Sequence, residues 1–294
     1  MTATRWLARR TLTAIVAALA VLTITYVAVS VAPPYRGGTG GLQPLPTVDQ
    51  YAAWLTGLLT LDWGTSSSLR APVADLVVDG IKRTGAYVLP ALFLSTGLGI
   101  LVGLRSATGG TTVVDRTTDV VAYLAFGIPN FFVGVVLLLL FSTDVTGTIV
   151  HRSDYVHTVL WPSLLLTTTL TAAGIRYTRS KATEYAHSDL VRLVRAAGGG
   201  RRDVARHVLR NAAVPLVSLF FTELLGVLVL NVYVIESVFR IEGLGYLNFY
   251  AVQRGDVSLV VGTTVVFVLA GVVGNYLQDV AYAALDPRVE ADRQ

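Results

Sequence analysis

Glu223 stands 11 residues into an apolar run that starts at Ala212, about 16 Å along a helix rising 1.5 Å per residue. That depth is close to the middle of a bilayer, where an ionisable side chain costs at least a few kcal/mol and marks a proton, ion or substrate pathway by default. Two plainer readings stay open for it: a neutral acid hydrogen-bonded to a neighbouring helix, or a span displaced so that the carboxyl lies nearer the surface. Asn130, Asn231 and Asn275 also fall within or beside apolar runs; amides there line pathways or simply join helices. Gly127-Ile128-Pro129-Asn130 breaks a further run, and the backbone groups it frees need a neighbour or a cavity to satisfy them.

Other chemistries are excluded by residue type. The two lysines, Lys82 and Lys181, do not follow glycine, so the chain holds no G-x-x-x-x-G-K-[ST] phosphate loop, and any ATP must be bound by another subunit. No cysteine is present, which removes thiolate metal sites, disulfides and cysteine nucleophiles. The four histidines, His151, His157, His187 and His207, have no zinc spacing, and no G-x-S-x-G elbow accompanies them. They read as loop residues.

The segment from Glu184 to Val217 carries the densest charge. On a helical wheel Leu190, Val191, Leu193, Val194 and Ala197 share an arc, with Arg192, Arg195 and Ala196 opposite. Gly198-Gly199-Gly200 ends that helix, because three glycines are costly in a helix interior. A second helix is expected from Arg201, with Arg202, Arg206 and Arg210 in a row at i, i+4 spacing toward Pro215. Such an elbow suits either a soluble partner or anionic lipid headgroups.

These residues sit in a chain made to cross a membrane. Of 294 residues, 53% are apolar and 14% charged, well below the ~25% charged of soluble domains. Six runs approach the ~20 residues a bilayer needs: Leu12–Ala32, Ala86–Leu104, Val120–Phe141, Thr158–Ile175, Ala212–Ile235 and Val257–Gln278, the last continuing to about Leu285. The expected fold is all-α, a single transmembrane domain over residues 1–294. With both termini inside, sixteen of the 23 Lys and Arg fall on the cytoplasmic side, as the positive-inside rule requires. The same placement explains the net charge of +4 without nucleic acid. The first run is too long for a signal-peptide core and is expected to remain as a span. The outer segment, residues 33–85, opens irregularly; then Thr47 to Gln50 form a capping box, and Tyr51, Trp54, Leu55, Leu58 and Leu59 follow at helical spacing. A second short helix is expected from Pro72.

Asp189-Leu190-Val191-Arg192-Leu193-Val194-Arg195-Ala196-Ala197-Gly198, with Leu209-Arg210-Asn211-Ala212 and Pro215, resembles the signature loop of binding-protein-dependent ABC importer permeases, most of all the dipeptide/oligopeptide/nickel permease family. Glu236-Ser237-Val238-Phe239, Gly243-Leu244-Gly245, Arg254-Gly255-Asp256, Asn275 to Asp279, Tyr282 and Asp286-Pro287-Arg288 extend the likeness, as do Leu61 to Ser66, Pro72-Val73 and Gly127 to Phe131. Leu190, Val194, Ala197 and Gly199 depart from the family's usual tyrosine, alanine, lysine and bulky apolar residue. The resemblance implies a type I ABC importer permease fold in the plasma membrane. It implies a non-catalytic subunit, with ATP and Mg held by two partner ATPases, alongside a homologous second permease and an external solute-binding protein. Within the cytoplasmic loop 178–211, Glu184 and Asp189 to Gly198 would then dock the ATPase, and the cargo would be peptides, nickel chelates or sugars. An ion-coupled transporter or channel using Glu223 is the rival class.

Overall fold

The computed structural model describes residues 3–32, 44–109, 127–142 and 154–285. The start of the outer segment, residues 120–126 of the third run, His151 and Asp286-Pro287-Arg288 lie outside them. Among the described residues the regular structure is helical: α1 (Ala3–Val31), α2 (Val48–Thr60), α3 (Val73–Gly109), α4 (Asn130–Phe141), α5 (Trp161–Ala186), α6 (Asp189–Ala196), α7 (Arg201–Gly226), α8 (Val232–Phe239), α9 (Leu244–Arg254) and α10 (Val257–Leu285). A π-type turn, Val156–Leu160, leads into α5, and another, Val227–Asn231, follows α7. Among the described residues, five stretches are long and apolar enough to cross a membrane: Arg9–Val31, Val73–Thr108, Val156–Ala186, Arg201–Gly226 and Val257–Tyr282. The described part of the third expected run is the shorter apolar helix Asn130–Phe141.

Three expectations change. No short helix stands apart after Pro72, because α3 runs unbroken for 37 residues from Val73. The threonine-rich fourth run belongs to a helix far longer than its apolar stretch, since Arg176 to Ala186 continue α5. The fifth run does not stay regular to Ile235 but passes through the π-type turn before α8.

The residues fall into two compact units. The first joins the described residues up to Gly85 with Val227–Tyr276. Here the capping box forms as expected: the Gln50 N–H donates to Thr47 Oγ1 (3.3 Å), and the Thr47 N–H donates to Gln50 Oε1 (2.9 Å). Helix α2 then lies on α1, with Trp54 stacked on Tyr26 at 4.5 Å and Tyr51 hydrogen-bonded to Thr23. Leu22, Val261 and Val265 form the core under it.

Two buried carboxylates knot this unit together. Glu236 Oε1 accepts from Thr84 (2.6 Å), and its other oxygen accepts the Tyr246 N–H (2.8 Å). Thr84 in turn accepts the Leu244 N–H. A Cβ at Gly243 would strike both the Glu236 carboxylate and Thr84, so the turn before α9 must be bare. Asp256 ties the Trp63–Pro72 loop to the start of α10: its carboxylate accepts Ser66 Oγ–H (2.6 Å), Ser68 Oγ–H (2.7 Å), Ser68 N–H (3.0 Å) and Leu259 N–H (3.2 Å).

The second unit contains α3 from Ala86 onward, α4 to α7, and the end of α10. Helices α3 and α5 cross at backbone contact. A Cβ on Gly99 would lie 3.1 Å from Gly174, and one on Gly103 would lie 2.7 Å from Thr178 Cβ. Gly99 and Gly103 are thus one small-xxx-small face and Gly174 and Thr178 the other. Helix α4 is held to α5 at both ends, by the Asn130–Thr169 hydrogen bond and by Ser142–His157 (2.6 Å), with Phe141 stacked on Trp161.

Burial raises the Asp256 pKa, but the four hydrogen bonds to its ionised form outweigh it and leave the value below the ordinary 3.8. A folded pKa below the unfolded one stabilises the fold above the ordinary carboxylate range, and that stability is lost as pH falls through the folded value. The thermal stability of the purified chain is therefore expected to fall as pH drops from about 5 to 3. Asp256→Ala should cost about 3 kcal/mol at neutral pH and flatten that acid step; a step of full size in the variant would refute this role.

Candidate functional site

The basic loop folds as an elbow of three helices. Helix α5 ends at Ala186, Ser188 leads into α6 with extended backbone (φ −66°, ψ 152°), and α6 spans eight residues. Two turns are too few to persist alone in water. Val191 supplies the missing stability: it is 1% exposed and packs with Ala182 and Ala186 of α5 and Val204 and Val208 of α7. Val194, Tyr185, Leu104 and Ala107 close around them. Burying one valine is worth about 1.5–3 kcal/mol, comparable to the whole deficit of so short a helix.

Each of the three glycines has its own task. Gly198 takes φ +84°, the left-handed conformation that favours glycine at a helix end. The Gly199 N–H then donates to the Val194 carbonyl (2.9 Å) and the Gly198 N–H to that of Arg195 (3.0 Å), the paired bonds of a Schellman ending. A Cβ on Gly199 would lie 2.7 Å from Val194, so the chain turns tightly against the helix it leaves. The Gly200 N–H donates to Asp203 Oδ2 (3.0 Å), which caps the start of α7. The expected boundaries, helix to about Ala197 and helix again from Arg201, are met.

The expected apolar arc splits in two. Val191 and Val194 turn inward, whereas Leu190 is 48% and Leu193 65% exposed, and Ala196 and Ala197 are exposed beside them. Arg192 pairs with Asp189 (3.3 Å) and Glu184 with Lys181 (3.2 Å), all on the exposed surface. Asp189 in the first turn and Arg195 in the last suit the helix dipole. The elbow therefore presents Leu190, Leu193 and Ala197 outward, flanked by Asp189, Arg192 and Arg195.

The candidates within the apolar helices do not form one constellation. Glu223 lies on α7 next to the α3–α5 crossing: its Oε1 is 4.0 Å from where a Gly174 Cβ would be. That oxygen is buried and has no hydrogen-bond partner among the described residues. Thr96, Thr171 and Thr178, on the crossing helices, also have buried hydroxyls without partners. Asn130 bonds Thr169. Asn231 belongs to the other unit, in its π-type turn, and Asn275 is exposed on α10. The glycine crossing was missed in the sequence, although Gly99 and Gly103 stand at G-x-x-x-G spacing inside an apolar run.

His157 is a correction. It is no loop residue: it lies in the turn leading into α5, is 5% exposed, and links Ser142 Oγ (2.6 Å) to Asp154 Oδ1 (2.7 Å). The order serine–histidine–carboxylate is that of a nucleophilic triad. It cannot act as one in this arrangement, because Ser142 is 2% exposed and its N–H is spent on the Leu138 carbonyl (2.9 Å), leaving neither access nor an oxyanion donor at that residue. The three residues fasten α4 to α5.

Residues 95–291 match the family described as binding-protein-dependent transport system inner membrane component. The chain is similar to the oligopeptide transport system permease protein AppB of Bacillus subtilis (strain 168), 30% identical over 257 residues, 83% of this chain and 81% of that one. It is also similar to the dipeptide transport system permease protein DppB of the same organism, 27% identical over 254 residues (85% and 81%). The glutathione transport system permease protein GsiC of Salmonella typhimurium is 28% identical over 248 residues (84% and 80%).

Gly198→Val places a β-branched residue in the left-handed region, which costs about 1–2 kcal/mol. Amide exchange across Asp189–Gly200 should accelerate about tenfold in the variant while α3 and α5 stay protected. Unchanged exchange would mean that the turn does not hold the elbow.

Proposed function

This chain belongs to the binding-protein-dependent transport system inner membrane components, and from that membership we propose that it is the permease subunit of an ATP-driven importer of small peptides, energised through the α6 elbow. The observation that carries the proposal is the exposed stripe of Leu190, Leu193 and Ala197 on a helix whose opposite side is locked into the core by Val191. A force applied to such a stripe reaches α5 and α7 together, because both contribute to the cluster that holds Val191. A docking helix on a flexible loop would dissipate it. With no phosphate-binding lysine in the chain, the ATP belongs to partners: two ATP-binding subunits on the elbow, a second homologous permease beside this one, and a solute-binding protein outside. The basic residues between Arg176 and Arg210 support a cytoplasmic elbow, and with it cytoplasmic termini. The relatives' oligopeptide, dipeptide and glutathione cargoes support peptides as the substrate class. The chain itself carries out no reaction; it supplies the path and the lever.

Glu223 is assigned to that path, with Asn130 as a lesser contributor. An acceptor oxygen without a donor, set beside a crossing made of bare glycine backbone, is a group that a passing ammonium or a proton would satisfy when the helices part. It is also the observation that favours the rival, an ion-coupled transporter.

Two measurements separate these readings. Leu190→Asp with Leu193→Asp should reduce co-purification of the ATPase subunits and peptide-stimulated ATP hydrolysis by about tenfold, equivalent to about 1.4 kcal/mol. Normal assembly and hydrolysis in this variant would rule out the elbow as the docking site. Glu223→Gln should leave assembly intact while peptide uptake per ATP falls about tenfold. Uptake driven by an ion gradient without any ATPase subunit would instead establish the rival.

A further inference from the structure

Arg202, Arg206 and Arg210 lie exposed along α7, about 6 Å apart along the axis. The buried stripe of the same stretch, Val204, Val208 and Ala212, is about 160–200° around the helix from them, so the arginines point away from the elbow's core. Among the described residues none of the three has a carboxylate partner. The acid closest in sequence, Asp203, is spent on the Gly200 N–H. Like charges at i, i+4 repel, so this row gains stability from an anion that no described residue supplies.

Its position says what the anion is. Helix α7 is continuous from Arg201 to Gly226, and its apolar run begins at Ala212, so Arg210 stands about 3 Å and Arg206 about 9 Å outside the hydrocarbon. The headgroup layer is about 5–8 Å thick on each side. Helical side chains lean toward the N-terminus, which here carries the Arg210 guanidinium outward into that layer while its stem stays along the helix. Leu209 beside it is 37% exposed, an apolar neighbour for the acyl chain. Guanidinium forks match phosphate oxygens in pairs.

We propose that Arg210, with Arg206 and Arg202 adding to the field from beyond the headgroup layer, holds the phosphate of an anionic phospholipid in the leaflet at which α7 enters the membrane. The lipid completes the charge balance of α7 just where it leaves the elbow, and so steadies the lever. The site is separate from the leucine stripe of α6 and stands whether or not that stripe docks an ATPase.

The test uses the full chain in nanodiscs of phosphatidylcholine containing spin-labelled phosphatidylglycerol or spin-labelled phosphatidylcholine, reading the protein-bound fraction of each. The wild type should prefer phosphatidylglycerol about fivefold or more. Arg206→Gln with Arg210→Gln should lose that preference, Arg206→Lys with Arg210→Lys should keep most of it, and the thermal midpoint should be unchanged in both. No preference in the wild type, or an equal preference in the glutamine variant, overturns the proposal. It is also overturned if the glutamine variant keeps its lipid preference and loses the ATPase subunits instead, which would give the arginines to a protein partner.

Discussion

Burying Val191 against Ala182, Ala186, Val204 and Val208 ties a two-turn helix to two long ones, and that contact decides where Leu190 and Leu193 point. Without it α6 would be a short, fraying segment with leucines free to turn in any direction. With it the wheel position of each residue is fixed in space, and the glycine turn that follows has one geometry. The left-handed Gly198, the close approach of Gly199 to Val194 and the Asp203 cap on Gly200 act together to stop one helix and start the next within four residues.

The two units handle polar groups in apolar surroundings differently. In the unit containing α8 and α9, the carboxylates of Glu236 and Asp256 are filled with donors from hydroxyls and backbone N–H groups. Carboxyl groups bonded in this way act as rigid joints, since removing any donor leaves a buried oxygen short of a partner. In the unit containing α4 to α7, Glu223 Oε1 and three threonine hydroxyls are left without partners next to a crossing of bare backbone. A satisfied network fixes one arrangement, whereas unpartnered groups beside a close glycine contact leave a second arrangement within reach. The fixed joints and the unpartnered cluster are what a transporter needs in different places.

The Ser142–His157–Asp154 chain is instructive for the same reason. Its connectivity is that of a catalytic relay, yet its burial and the use of the Ser142 N–H make it a fastening. Function in such a set lies in access and in the donors around it, and connectivity alone does not decide between them.

Much of the plan was written in the chain order. Apolar runs of bilayer length, the capping box at Thr47 and the three glycines after Ala197 specify local structure, because helix propensity, capping and backbone freedom act over a few residues. The sequence by itself therefore determined an all-α membrane chain, the end of α6 and the start of α7, and the row of arginines. It left unspecified which half of the leucine–valine arc is buried, that Gly99 and Gly103 meet Gly174 and Thr178, and that His157 finds Ser142 across 15 residues. Those depend on which helix lies against which, and a wheel drawn for one helix does not contain its neighbours. Only tertiary packing could turn Val191 inward and Leu190 and Leu193 outward.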